Sequence, residues 1–195
     1  MRFIQKCCVV LLLPAFLLSC EAIETKNIFP QLRYTHLPVI SLAVSKIGIE
    51  TKYQSAFKKP NVETEFPILP ATVLRNWFKD RLSAVGGPAV IRATVTNASV
   101  VEVPLKQSGG IRGVFTKDQS ERYDAVLSAK IEIFDYRGVL LGTVSSQAKR
   151  SQTVSEDVTL AEREVIWFRM LEAMMNDLNR SLDKQIRKYF QQWLR

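Results

Sequence analysis

The sequence predicts an α+β fold: a two-layer sandwich in which an antiparallel sheet of about four strands is covered by two helices, the C-terminal helix long. Three patterns carry that expectation. From Glu121 to Asp135 the residues alternate, with Tyr123, Ala125, Leu127, Ala129, Ile131 and Ile133 on one side and Arg122, Asp124, Ser128, Lys130 and Glu132 on the other. From Ala71 to Val85 an apolar stripe of Leu74, Trp77, Phe78, Leu82 and Val85 follows helical spacing. From Leu160 to Arg195 no Pro or Gly interrupts a helical recurrence that runs through Trp167, Leu171, Met174, Leu178, Leu182, Ile186, Tyr189 and Trp193.

The other elements follow in order. Val39 to Glu50 is β-branched and alternating, with Ile40, Leu42 and Val44 on one face. The phase then switches to Ile47 and Ile49, which predicts a bulge near Ser45-Lys46. Thr51 to Pro70 holds Pro60, Pro67 and Pro70 and reads as a long irregular connection laid along the domain surface. The helix of 71–85 is expected to stop at Gly86-Gly87-Pro88, a left-handed cap followed by a proline. Ala89 to Leu105 reads as a strand, and Lys106 to Ser120, with three glycines, as a loop or long hairpin end. Tyr136-Arg137-Gly138 turns the alternating strand into a partner from Val139 to about Gln152. Thr159-Leu160-Ala161-Glu162 fits a capping box that starts the last helix.

The chain of 195 residues suits a single domain. Its 47% apolar and 24% charged residues exclude a disordered chain and a multi-span membrane protein. One histidine, His36, and three cysteines leave little room for a His/Cys metal centre or a histidine-dependent triad. Arg2 and Lys6 precede a twelve-residue apolar run from Cys7 to Leu18, too short to span a bilayer and patterned as an export signal. Leu17-Leu18-Ser19-Cys20 ends that run and resembles the bacterial lipobox. The resemblance implies cleavage after Ser19, a diacylated Cys20 thiol and an acylated new amino terminus. It divides the chain into a signal peptide (1–19), a lipidated cysteine with its tether (20–38) and one α+β domain (39–195). Cys7 and Cys8 would leave with the signal, so no disulfide is expected, and the mature charge falls from +8 to +6. Export also removes nucleic acid as a partner for this basic chain.

In layout the chain is similar to small envelope lipoproteins, among them the lipopolysaccharide-assembly lipoprotein and the auxiliary lipoproteins of lipid-transporting ABC and MCE-type systems. Closer likeness lies in Pro60-Asn61-Val62-Glu63, Arg75-Asn76-Trp77 with Asp80-Arg81-Leu82, and Ala98-Ser99-Val100-Val101-Glu102-Val103. It continues in Phe115-Thr116 with Asp118-Gln119, Glu121-Arg122-Tyr123-Asp124, and Ala161-Glu162-Arg163-Glu164. These stretches resemble a family of alphaproteobacterial envelope lipoproteins that carries no assigned activity. The likeness implies a fold and a place in the cell, and no chemistry.

No constellation of residues calls for catalysis, so no enzyme, cofactor or metal is expected. The carboxylates Glu156, Asp157, Glu162 and Glu164 read as helix-start electrostatics rather than as an acid/base pair. Gly109-Gly110-Ile111-Arg112-Gly113 lacks the Lys-Ser/Thr of a phosphate loop and reads as a flexible hairpin end. His36 has no second ligand nearby in sequence. Trp167, Met170, Met174 and Met175 are core by spacing, with a lipid pocket as the sharper alternative.

The end of the last helix carries the most specific expectation. A helix of roughly 35 residues is ~52 Å long, against ~35 Å for a domain of this size, so it overhangs unless the sheet is long enough to cover it. Lys184, Arg187, Lys188 and Arg195 stand there among Ile186, Tyr189, Phe190, Trp193 and Leu194, and Lys184 to Arg195 contains no acid. Such an end suits docking to an anionic lipid surface or a partner groove. The resulting expectation is a non-enzymatic, membrane-anchored envelope lipoprotein acting as an adaptor or auxiliary subunit. The alternative is a lipid or hydrophobic-ligand binder with a cavity lined by Trp77, Phe78, Trp167 and Met174. Glu21 after the cysteine, in place of the Asp that marks inner-membrane retention in enteric bacteria, favours the outer membrane with the domain facing the periplasm.

Overall fold

The computed structural model describes residues 27–105 and 119–195. Strand β1 (Ile40–Thr51) is followed by helix α1 (Pro70–Arg81), β2 (Leu82–Pro104), β3 (Gln119–Phe134), β4 (Leu140–Ser155) and helix α2 (Leu160–Tyr189). A short 3-10 turn, Gln191–Trp193, closes the chain. The four strands form one sheet in the order β1-β2-β3-β4. The α+β sandwich of the sequence reading is therefore the observed fold, with one correction to the sheet. β1 and β2 run parallel, while the other two pairs are antiparallel. The reason is the crossover: residues 52–81 carry the chain back along the molecule through α1, and a return of that length brings the next strand in parallel.

Both helices lie on one face. Leu74, Trp77 and Phe78 of α1 and Trp167, Met174 and Leu178 of α2 are buried against Ile91, Ala93, Leu127, Ile131 and Val144 of the sheet. The alternation of β3 is realised residue by residue, with Tyr123, Ala125, Leu127, Ala129, Ile131 and Ile133 all in the core. The opposite face is polar. There Arg92 and Lys130 both reach Glu132, at 3.2 and 2.9 Å, and the β4 side chains Thr143, Ser145 and Gln147 are exposed. The expected bulge in β1 is present as register shifts between Leu42 and Val44 and between Val44 and Lys46. The expected capping box is also present: Glu162 N donates to Thr159 Oγ1 at 3.2 Å and Thr159 N to the Glu162 carboxylate at 2.9 Å.

The long connection 52–69, expected on the surface, runs along the edge of β2 beyond the end of β1 and buries part of its length. Val62 N donates to Val100 O at 2.9 Å and Glu102 N to Pro60 O at 2.8 Å. Val62, Phe66 and Ile68 are buried, and Phe66 stacks on Trp167 at 4.9 Å. Glu63, also buried, accepts bonds from Tyr53 Oη, Ser55 Oγ and Val100 N. Burial alone would raise its carboxyl, but these bonds outweigh it and hold the group below the usual carboxylate range.

Three boundaries differ from the sequence reading. α1 ends at Arg81, and Leu82 and Val85, expected on its stripe, belong to β2. Leu82 takes extended backbone because there it pairs with Ile40 and is buried, a gain that a further helical turn does not offer. Gly86-Gly87-Pro88 is therefore a wide bulge inside a strand rather than a helix stop, between the pairs Leu42–Ala84 and Val44–Ala89. α2 stops at Tyr189, so the helix has 30 residues instead of about 35. Finally, residues 27–38, part of the expected tether, pack on the helices: Phe29 lies on Phe168 at 5.1 Å, Tyr34 is buried and Tyr34 N donates to Asp80 at 2.9 Å. The segment forms no helix or strand, in keeping with the lack of a period in its sequence.

Candidate functional site

Helix α2 gives the molecule two distinct ends. Asn27, the first described residue, donates from Nδ2 to Ala161 O at 2.7 Å, so the chain enters beside the first turn of α2. Cys20, the expected lipidation site, and Gly109–Gly113 lie outside the described residues. At the far end, the last turn of α2, the β3–β4 turn, the start of β1 and the Gly86-Gly87 bulge come together.

The overhang expected at that far end is not present. After Tyr189 the backbone leaves the helix, and Phe190 turns fully into the core. A Cβ on Gly142 of β4 would meet the Phe190 ring at 3.3 Å and the Trp193 ring at 3.5 Å, so the absence of a side chain there lets both rings close on the strand. Leu194 then pairs with Leu42, and Arg195 N donates to Ser41 O at 3.0 Å. The tail thus ties the two edge strands, β1 and β4, together at this end. Burying Phe190 offsets the loss of the last helical turn.

The seven expected docking residues divide accordingly. Phe190 is core and Trp193 is half-buried. Arg187 is held by Asp183 at 2.8 Å, and Lys188 stands 4.9 Å over the Tyr189 ring. Lys184, Arg187, Lys188, Tyr189 and Arg195 are exposed. What the sequence reading missed is the neighbouring turn. Tyr136 is 80% exposed, and Val139, Leu140 and Leu141 are each about half exposed. The turn is rigid, since Asp135 Oδ1 accepts from Arg137 N at 2.9 Å and Val139 N at 2.8 Å. A signal was there: Val139-Leu140-Leu141 are three consecutive apolar residues, which breaks the alternation a half-buried strand requires. This end therefore exposes apolar side chains of the turn together with the basic residues Arg137, Lys188 and Arg195.

Behind that surface sits an ion pair the sequence does not announce. Arg81, at the last position of α1, is buried, and its Nη2 reaches Asp183 of α2 at 2.6 Å. Its Nε and Nη1 have no partner, and burial pulls its pKa down, opposed by Asp183. One residue earlier, Asp80 accepts from Arg33 Nε at 2.8 Å and Tyr34 N at 2.9 Å. The Arg33 guanidinium holds this buried carboxyl below its ordinary range. Trp77 Nε1 donates to Asn179 at 2.8 Å, so α1 and α2 are joined by polar bonds as well as by packing.

Trp77, Phe78, Trp167 and Met174, the side chains expected to line a ligand cavity, are all buried in the core between helices and sheet. His36 is exposed beside Tyr34. Among the described residues no group of three His, Cys, Asp or Glu side chains is placed to hold a metal ion, and no helix is long and apolar enough to cross a membrane.

Layout and charge thus define a class: a one-face-covered mixed sheet whose entry end and far end differ in character. No protein-family model matches the chain, and no curated protein does. Solved structures similar to it include the rare lipoprotein B from Shewanella oneidensis, 11% identical over 74% of this chain and 96% of that one, with a TM-score of 0.39. A minor lipoprotein from Acinetobacter baumannii is 16% identical over 76% and 96% of the two chains, also with a TM-score of 0.39. A lipoprotein from Caulobacter crescentus is 10% identical over 72% and 86%, with a TM-score of 0.38.

Proposed function

We propose that the protein is a bacterial envelope lipoprotein, anchored through acyl groups on Cys20 and facing the periplasm. In this reading its domain is a non-enzymatic adaptor or auxiliary subunit of an envelope assembly or transport complex. The observation that supports it is the separation of the two ends. Asn27 is bound at the start of α2, and the exposed apolar side chains Tyr136, Val139, Leu140, Leu141 and Tyr189 lie at its other end. Thirty helical residues separate the two by ~45 Å. The seven residues from Cys20 to Asn27 span at most ~24 Å. A chain anchored at Cys20 therefore cannot stand with that far surface pressed end-on into the membrane that holds it, which leaves the surface to a protein partner. Glu21 favours the outer membrane as the site of the anchor.

Two experiments test this. Cys20→Ser removes the acylated thiol, so the variant should lose metabolic palmitate label and no longer be processed to the lipidated form; retained label would overturn the anchor. Leu140→Asp with Tyr136→Ser should leave the melting temperature within a few degrees, because both side chains are at least half exposed. The same pair of changes should abolish envelope crosslinks made from the far end; undiminished crosslinks would sink the adaptor surface.

A further inference from the structure

A shallow cavity of about 380 Å3 opens on α2 at the entry end. Val158, Ala161, Val165 and Ile166 line it together with Asn27 and Arg169. Ala161, Val165 and Arg169 recur every fourth residue, so they lie along one helix face. The carboxylate of Glu162, which also borders the cavity, is turned to its capping bonds with Thr159. Sites for small apolar ligands have this make-up, mostly apolar walls with few polar groups, at roughly 300–1,000 Å3. Beside it two large aliphatic side chains are bare, Ile28 at 96% and Leu160 at 68% exposure. Apolar walls and apolar flanks left in water are unfavourable until something covers them.

Asn27, bonded to Ala161 O, fixes the incoming segment beside the cavity, and Cys20 is seven residues earlier, within ~24 Å. Residues 21–26 read Glu-Ala-Ile-Glu-Thr-Lys and offer little apolar surface of their own. An acyl chain is unbranched and wholly apolar, the shape an open groove accepts. We propose that this cavity takes an acyl chain, and that its occupant is one of the acyl groups on Cys20; this rests on the reading of Cys20 as acylated. An acyl chain is no less apolar in lipid than in protein, so the gain comes from the cavity walls and flanks leaving water. The remaining acyl groups stay in the bilayer, and anchoring by more than one chain is stable where a single chain is marginal. The consequence is orientation: the start of α2 is held at the membrane and the far end points away from it.

The test uses the full chain grown with a photoreactive diazirine palmitate, irradiated in its membrane and analysed by peptide mass spectrometry. Incorporation at Cys20 followed by an intramolecular adduct within residues 158–169 is the expected result. Val165→Asp and Val165→Trp, which charge or fill the cavity at a half-buried position, should each lower that adduct about tenfold. Two substitutions of opposite kind guard against one failing to fold, which circular dichroism reports. Label at Cys20 with adducts only to lipid or to other peptides overturns the proposal and leaves the anchor standing. A chain with Cys20→Ser given the free probe separates the sources: equal labelling of 158–169 in it and in the acylated protein would mean a free lipid is the occupant, which also overturns the proposal. No incorporation at Cys20 overturns the anchor itself.

Discussion

Arg81, at the end of α1, is buried against Asp183 of α2, and the two form an ion pair at 2.6 Å. The guanidinium is buried with Nε and Nη1 unpartnered, and among the described residues Asp183 is the acid that pairs with it. Asp183→Ala should cost about 3–5 kcal/mol, since it strands a buried cation, whereas exchanging both residues for apolar ones of similar volume should be close to neutral. Urea unfolding of the two variants checks this, and equal losses would contradict it. Asp80 makes the acid side of the same argument. Its pKa is lowered in the folded chain, first by the bond from Arg33, so its contribution is fully present above the ordinary carboxylate value near ~4 and is lost as pH falls through the lowered value. Arg33 is half exposed, so solvent screens the pair and the effect is small. Unfolding midpoints measured from pH 5 down to pH 2 should fall less steeply for Asp80→Asn than for the unaltered chain; parallel curves would remove Asp80 from the account.

Among the elements, β3 and α2 were legible because each has one apolar side and a long enough run for the period to show. α1 was legible for its first three turns and misread at its end, where a glycine pair stood for a stop. In the structure one of those glycines, Gly87, admits a neighbouring backbone. Gly87 has φ +137, and a Cβ there would lie 2.4 Å from Ala43 O, while a Cβ on Gly86, at φ +97, meets nothing within 4 Å. Both Gly→Ala changes should destabilise by more than about 1 kcal/mol through backbone strain, and Gly87→Ala by clearly more than Gly86→Ala because β1 must also move. Thermal melts of the two single variants decide it; equal shifts would mean that β1 yields without cost. No local pattern could have announced this, since the residue that needs the space is more than forty positions away.

For the whole molecule the tail is the telling case. The docking end read from sequence rested on a helix that outruns its sheet, and the structure folds its last residues back instead. Phe190→Ala should therefore cost about 3–5 kcal/mol, and deletion of residues 190–195 should unfold the domain or sharply lower its melting temperature, because a buried ring and the tie between β1 and β4 go together. A truncated chain that melts like the intact one would restore the overhang. The basic and aromatic character noticed in the tail does survive at the same end of the molecule, carried by Tyr189, Lys188 and Arg195 with the β3–β4 turn.

The elements, the faces that most of them bury, the capping box and the bulge in β1 were legible in the chain. All of these are written in neighbouring residues, where period and local hydrogen bonding act. That β1 and β2 are parallel, that Gly86-Gly87 lies within a strand, that Arg81 finds Asp183 and that Phe190 closes the far end came from the folded arrangement. Each of those depends on which distant backbone or charge arrives beside a residue, and the burial gained there outweighs the local preference that the sequence displays.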